Sequence, residues 1–600
     1  LKPGWERNRV PEQIVKIQSQ PGIKRDGTKF EGDNYVDGQW CRFQRGLPRK
    51  IGGYRSINKY LHGLARALHE YTQNLLTYVH AGSATHVEQF YVDGNFNTSV
   101  ITDRTPTAGY VYSPDNMWQF AVAYDTTNGN QIVGQVAPNL QCICNSVGGQ
   151  LFIGDLLGSA PLTQVTTVPA NFSATGGVVA LPPYTFVYGN DGYVAWSIPN
   201  GPDDFTGTGA GNAYITGQKI IRAMPLRGGP GNSPSGLFWS ADSLIRGSYV
   251  GGTQVFQFDT ISTQSSILSA NGVIEYDGIF FWPGSDRFLM FNGVVREVEN
   301  NLSLNFFFDN LNAQYRQKVF AFKVPRYGEI WWCFPKGNST EPNHAVIFNV
   351  RENTWYDTAL PNGGRGAGLF PAVFRRPFMS GVEPQRPEAV SATVTDGGSG
   401  YTVGDVLTLD EGYAVTQSQF EVTAVDMSGG VTDVAVVTAG SYTVTPSNPT
   451  MPTGGSGTGV ELDVTYVEPF KFWVHEVGTD EVDGLDVNPI QSYFETPDIS
   501  LPASSGTNRA LQVLMIEPDF VQSGNMTVQV RGRANARAPE VDGPAMTFAD
   551  TASTPQEQVV YIKTQRRELR FRFESDTVGG NYQMGLVLAH VQPGDGTTLG

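Results

Sequence analysis

The stretch Val273–Val298, VIEYDGIFFWPGSDRFLMFNGVVREV, constrains the fold of this chain more than any other. Four short runs, Val273–Tyr276, Ile279–Trp282, Arg287–Phe291 and Val294–Val298, are divided by Asp277-Gly278, Pro283-Gly284 and Asn292-Gly293. Asp-Gly and Asn-Gly supply the positive φ angles of tight hairpin turns, so the runs read as an antiparallel meander. A meander this small has little core of its own and must bury its faces against neighbours.

The rest of the chain repeats the pattern. Strands are expected at Leu68–Tyr71, Leu75–His80 and Val87–Val92; at Leu140–Asn145, Leu151–Gly154 and Leu162–Val168; and at Tyr184–Tyr188 and Tyr193–Ile198. Further sets are Gly236–Ser240, Ile245–Val250 and Gln254–Phe258, then Val319–Val324, Ile330–Phe334, Ala345–Val350 and Asn353–Tyr356. Aromatic second strands recur roughly every 40–60 residues, at Tyr78, Phe152, Trp196, Phe238-Trp239, Phe281-Trp282 and Trp331-Trp332. Short strands, glycine turns and that period predict an all-β chain built on a β-propeller of about six to eight blades. Its rings are read as wedges between blades rather than as a ligand platform. The propeller is expected over 61–381 plus 468–487.

Residues 382–467 interrupt the pattern. They are poor in aromatics, rich in Thr and Val, and strongly acidic, with 12 Asp+Glu against 1 Lys+Arg over 382–470. Because Phe470–Glu476 (FKFWVHE) again resembles a propeller strand, the segment reads as a small acidic β module inserted at a loop tip of the last blade. Residues 488–600 show period-two alternation at Met526–Val530, Val559–Lys563, Leu569–Phe573 and Tyr582–Leu588, which predicts a C-terminal β-sandwich. There Leu569, Phe571 and Phe573 should face inward and Arg570 and Arg572 outward. Together with Arg531 and Arg533 they are candidates for contact with a subunit or with DNA, the alternative being a solvated strand face.

Residues 1–60 are punctuated by glycine too often for a helix and read as an extended N-terminal docking arm. Lys50–Tyr54 is expected to enter the first blade. The chain has a formal net charge of −16, yet residues 1–60 carry 13 Lys+Arg against 6 Asp+Glu. A basic leader on an acidic body docks either on another surface or on its own body. Tyr35, Trp40 and Phe43 are anchors that need apolar pockets, and Arg42, Arg49 and Lys50 are the accompanying charges of the docking residues.

Catalytic and metal chemistry finds little support. The seven His show no H-E-x-x-H or H-x-H spacing, and neither a G-x-S-x-G elbow before a helix nor a Walker loop occurs. Gly207–Gly211 is a glycine-rich loop with no helix pattern after it. Sugar-cleaving propellers need convergent carboxylates about 5–10 Å apart; Asp203, Asp204, Asp242 and Asp286 are the candidates, at positions where blade turns use acids anyway. Asp125–Gln131 lacks the calcium-loop spacing. Cys142 and Cys144 share one strand face rather than a C-x-x-C turn, so with Cys41 and Cys333 they read as buried thiols. No enzyme activity, cofactor or metal is expected. No apolar run is long enough for a transmembrane helix, and the N-terminus lacks the apolar core of a signal peptide.

Several phrases resemble a family. Gly22–Tyr54, GIKRDGTKFEGDNYVDGQWCRFQRGLPRKIGGY, is similar to the opening of podophage tail proteins of the nozzle type, also called tail tubular protein B or packaged-DNA stabilisation proteins. YDGIFFWPGSDRFLMFNG, SYFETPDISL with NRALQVLMIEPDF, and YIKTQRRELRFRFES with NYQMGLVLAHVQPGDG resemble the same proteins. The resemblance implies a structural virion protein, six copies of which ring the tail axis below the adaptor and portal. Such a ring extends the DNA channel, retains packaged DNA and anchors fibres or a tail tip. It implies as partners the adaptor, a fibre or tip protein, and double-stranded DNA passing without sequence specificity, with assembly in the host cytoplasm and residence in the virion tail. An acidic body suits passage of DNA, because tight phosphate neutralisation would hold the duplex. The alternatives are a glycan-binding or glycan-cleaving propeller on a tail or cell surface and, less favoured, a bacterial extracellular scaffold.

Overall fold

The structure is a computed structural model that describes residues 12–594, apart from 29–31, 74, 111, 113–116, 126–138, 147–149, 170–174, 227–232, 500–509, 536 and 551–558. It is an all-β chain built around a seven-bladed propeller; six blades are four-stranded antiparallel meanders, the seventh is part of a six-stranded sheet, and strands are numbered outward from the axis. Blade 1 holds Ala67–Gln73, Leu76–Gly82, Val87–Val92 and Thr102–Asp103, and blade 2 holds Gln119–Asp125, Asn139–Ser146, Gln150–Asp155 and Thr163–Gln164. Blade 3 holds Gly177–Leu181, Tyr184–Tyr188, Tyr193–Trp196 and Gly211–Tyr214, and blade 4 holds Ile220–Pro225, Ser235–Ser240, Leu244–Tyr249 and Phe256–Ser262. The opening meander is blade 5, with Ile274–Tyr276, Ile279–Pro283, Phe288–Phe291 and Val295–Glu297. Its first turn has Asp277 at φ 51° and Gly278 at φ 83°, the left-handed pair that a two-residue hairpin requires. Blade 6 holds Phe320–Val324, Glu329–Phe334, His344–Asn349 and Thr354–Ala359.

Blade 7 is assembled from both ends of the ring. Arg365–Leu369, Phe378–Pro384 and Phe470–His475 come from one side, and Tyr54–Leu61 supplies the fourth strand, with Leu61 opposite Phe470 and Tyr54 opposite His475; Glu481–Asp483, parallel to it, and Asp486–Asn488 extend the sheet outward. Residues 54–61 therefore close the seventh blade and do not enter the first. The cause is topological: an unclosed ring leaves a strand edge unpaired, and pairing across the two ends removes it.

Seven separate apolar clusters hold the ring, one at each junction between successive blades. Trp239 of blade 4 meets Trp282 of blade 5 edge-on with centroids 5.7 Å apart, and both are fully buried. In blade 6 Trp332 stacks on Trp355 and meets Phe288 of blade 5 at 5.0 Å. These rings are wedges. Phe152 and Trp196, expected on second strands, lie on third strands, because the strands Gln119–Asp125 and Gly177–Leu181 precede them in their blades.

Between the second and third strands of blade 7 the chain leaves as a two-stranded stalk, Glu388–Ser399 paired with Thr458–Val467. The stalk carries a small β module with its own core around Leu407, Phe420, Val422 and Leu462. The described residues of 511–593 pack as a sandwich whose sheets are completed by the N-terminal segment. Gln13–Ile17 pairs with Val587–Pro593, Asp37–Gln39 with Ser492–Glu495, and Leu47–Lys50 with Asn581–Met584. One continuous core runs from this sandwich through residues 17–54 into blades 6 and 7.

Candidate functional site: the N-terminal junction, the arginine face and the axial channel

Of the two places open to the N-terminal segment, it takes its own body, and the candidate docking residues are spent inside the molecule. Tyr35, Trp40 and Phe43 are at most 2% exposed and pack against the chain's own rings. Tyr35 meets Phe494 of the sandwich at 5.6 Å, Trp40 meets Trp331 of blade 6 at 6.3 Å, and Phe43 meets Tyr356 at 5.4 Å. The pockets those anchors required are therefore intramolecular, and the extended docking arm is instead a staple between propeller and sandwich. Lys50 is buried and donates to the Gly580 carbonyl at 2.8 Å, and Arg49 donates to Gln44 at 2.7 Å.

Arg42 is the ionic centre of the staple. Its Nε lies 2.9 Å from Glu329 Oε1, its Nη1 donates to Glu476 Oε2 at 3.0 Å, and its guanidinium sits 3.7 Å above the Tyr327 ring. Glu329 is fully buried and also accepts from Tyr356 at 2.6 Å and Trp331 at 2.9 Å. Burial pushes the Glu329 carboxyl above its usual range despite Arg42. A second node forms at Arg25, whose Nε donates to Asp357 Oδ1 at 2.8 Å and whose Nη1 donates to Asp37 at 2.5 Å. Burial alone would raise the Asp357 carboxyl, but Arg25 and a 2.8 Å hydrogen bond with His344 hold it well below the usual range. Asp26 accepts from the amides of Asn305 at 2.9 Å and Phe306 at 2.8 Å, capping the N-terminus of the short helix Leu304–Asn310.

The sandwich arginines form a lattice with carboxylates rather than an open cationic face. Arg531 pairs with Glu495 and with Asp542, and Arg533 lies 3.3 Å from Glu568 and 3.7 Å from Asp498. Arg572 pairs with Glu574 at 2.9 Å and covers the Tyr493 ring at 3.4 Å. Arg570, expected to point outward, is fully buried, with Glu540 in contact and Asp498 at 3.8 Å. Strand alternation gave the right face, but acids from chain segments outside that strand cover it.

The carboxylates considered for sugar chemistry fall in three different blades and serve local turns. Asp204 accepts from Thr206 and Gly207 amides at 2.8 and 3.0 Å, Asp242 accepts from Ser240 at 3.0 Å, and Asp286 lies 3.3 Å from Arg287. Among the described residues no group of three or more His, Cys, Asp or Glu is arranged to hold a metal. Cys41 and Cys333 are buried free thiols pushed up by burial. The side chains of Cys142 and Cys144, and most of Asp125–Gln131, lie outside the described residues. Among the described residues no helix is long and apolar enough to cross a membrane.

Sequence reasoning passed over the axial channel. Arg66, His69, Gln119, Arg222 and Lys323 line a cavity of about 260 Å³ on the propeller axis, with Phe120, Phe320 and Phe322 among its rings. A wider cavity of about 660 Å³ adjoins it, and Gln119 and Asn271 line both. The available signal was a lone cation inside an apolar strand, as in IIRAMP (Ile220–Pro225) and FAFKV (Phe320–Val324).

No protein-family model matches the chain, and no curated protein matches it. Among solved structures, the WD40 β-propeller domain of Doa1 is similar at 11% identity and a TM-score of 0.34, over 55% of this chain and 93% of that one. The propeller assignment rests on strand order and on the seven blade junctions.

Proposed function

We propose that this chain is a structural, non-catalytic component of a short-tailed phage virion: a nozzle-type protein that rings the tail axis, extends the DNA channel and anchors fibres or a tip. The observation that carries the reading is where the resembling phrases fall. Three of the four resembling stretches, the described parts of Gly22–Tyr54, Ser492–Phe520 and the strands from Tyr561 onward, converge on one unit, the staple and the sandwich it completes, while the fourth, Tyr276–Gly293, lies in blade 5. Selection for a load-bearing ring acts on such a unit, since force applied to the sandwich reaches the propeller through a shared core rather than a flexible linker. The acidic module on its two-stranded stalk is the part free to meet a fibre or tip protein.

With the staple residues consumed internally, ring contacts in this reading come from other surfaces and require the adaptor as a template. The isolated chain is expected to weigh as a monomer of about 65 kDa by mass photometry and to form rings only on adaptor–portal particles. Electron microscopy of those mixtures tests the proposal. Absence of any ring on the particle axis, or release of sugars from host polysaccharide by the purified chain, counts against it; the second result favours the glycan-cleaving propeller.

A further inference from the structure

The described residues that line the axial cavity include three cations, Arg66, Arg222 and Lys323, and no carboxylate. In a chain with a net charge of −16 this local excess is unexpected. Two of the cations are neutralised from behind the lining. Arg66 Nη2 donates to Glu341 at 2.7 Å, and Lys323 Nζ donates to Glu275 Oε2 at 3.2 Å. Arg222 differs. Its Nη1 reaches only the amide oxygen of Gln119, at 3.2 Å, and its Nε is buried with no hydrogen-bond partner. Gln119 is held in place to present that oxygen: its Nε2 donates to the Gly176 carbonyl at 2.6 Å, and Tyr188 donates to its Oε1 at 2.7 Å. Arg222 is half-buried, and a guanidinium partly withdrawn from water without a counter-charge carries a cost that an anion drawn into the cavity offsets. Burial accordingly pulls the pKa of Arg222 down.

We propose that the axial channel is an anion site in which Arg222 receives the oxyanion group, a carboxylate or a phosphate, of a small ligand. Aromatic walls with a few placed polar groups fit a ligand that has an apolar body beside its charged head. The adjoining cavity, with Lys219 and Arg316 at its lining, gives an entry that favours negative charge. This site is independent of any ring assembly.

The test is isothermal titration of the full chain with benzoate and, separately, with inorganic phosphate in a low-chloride buffer. At least one anion is expected to bind saturably, and Arg222→Gln is expected to weaken it by about tenfold or more, the worth of a charge-assisted hydrogen bond. Stronger binding of benzoate assigns a carboxylate with an apolar body, and stronger binding of phosphate assigns a phosphate head. Should Arg222→Gln fail to fold, Met224→Phe narrows the channel from the same strand and leaves the Arg222–Gln119 contact in place; it too is expected to weaken binding. The proposal is overturned if neither anion binds saturably, or if the folded variants bind as the parent does.

Discussion

Arg42→Met is the sharpest test of the staple. The substitution keeps an unbranched side chain of similar reach over Tyr327 but removes the charge that faces Glu329 and Glu476. Arg42 is 1% exposed and Glu329 0%, so little water reaches the carboxylate left behind. Removing one partner of a buried ion pair costs about 3–5 kcal/mol, several times the value of a surface pair. Urea unfolding read by tryptophan fluorescence is suited to this, since Trp40 of the staple sits 6.3 Å from Trp331 of blade 6 and urea leaves ionic strength constant. Glu329→Gln in the same background leaves an uncharged amide that can still meet Tyr356 or Trp331, and the double variant should recover about 1–3 kcal/mol relative to the sum of the singles. The pH dependence has a defined sign. Glu329 has a raised pKa when folded, so its charge weakens the fold above that pKa and the penalty fades as pH falls through it. Loss of Arg42 raises it further, so the deficit of Arg42→Met should be smaller at pH 5 than at pH 8. A loss below about 1 kcal/mol, the level of an exposed pair, or strict additivity in the double variant, refutes the reasoning.

Three further outcomes are expected. Gly22→Ala should loosen the staple by about 1–3 kcal/mol, because φ is +105° there and a Cβ would lie 2.5 Å from both Leu302 Cδ1 and Thr354 Oγ1; trypsin should cleave faster after Lys24 and Arg25, and unchanged cleavage argues against it. Burial opposes charge on His590, but hydrogen bonds to Glu517 and Glu12, each 2.6 Å, raise its pKa. That clamp on the Gln13–Ile17 strand is complete below the ordinary imidazole value and is lost as pH rises through the folded one. Protection of residues 13–17 from amide exchange, corrected for intrinsic rate, should therefore fall as pH rises, and His590→Gln should flatten the profile. Replacing residues 386–468 by a short Gly-Ser turn should leave the remainder melting within about 1 °C of the parent, the shift that roughly 1 kcal/mol gives in a body of about 500 residues, because Pro384 already pairs with Phe470 and Gln385 donates to the Pro469 carbonyl at 2.7 Å; a much larger drop shows that the module supports the ring.

What the sequence made legible was local. Asp277-Gly278 announces its turn because two consecutive left-handed residues are needed there and few pairs supply them. The bulky second strands of blades 4 to 6 stand out for the same reason that they wedge blades apart. Innermost strands such as GVVAL (Gly177–Leu181) carry no alternation, since both faces meet neighbouring blades, and they pass for loops or undivided apolar runs. Trp40 declared that it needed a pocket, but the ring that fills that need is Trp331, far away in the chain. The same holds for Arg570. Alternation places it opposite Phe571, while Asp498 and Glu540, which cover it, belong to other segments. The channel cations were hidden in the same way, because a single Arg in an apolar strand acquires meaning only when seven strands face one axis.

The closure of blade 7 also sets a timetable. Residues 54–61 leave the ribosome roughly 400 residues before their partner strand 470–475, which at about 5–20 residues per second is a wait of some 20–80 s. Over that interval this strand has an open edge, and Asp37–Gln39 and Leu47–Lys50 wait longer still for strands 492–495 and 581–584. The inserted module, lying just ahead of 470–475, lengthens the delay by its own synthesis. A nascent chain of this design is exposed to pairing with its neighbours on the same polysome, and chaperone demand during translation should fall sharply when a circular permutant makes residues 54–61 directly after 475.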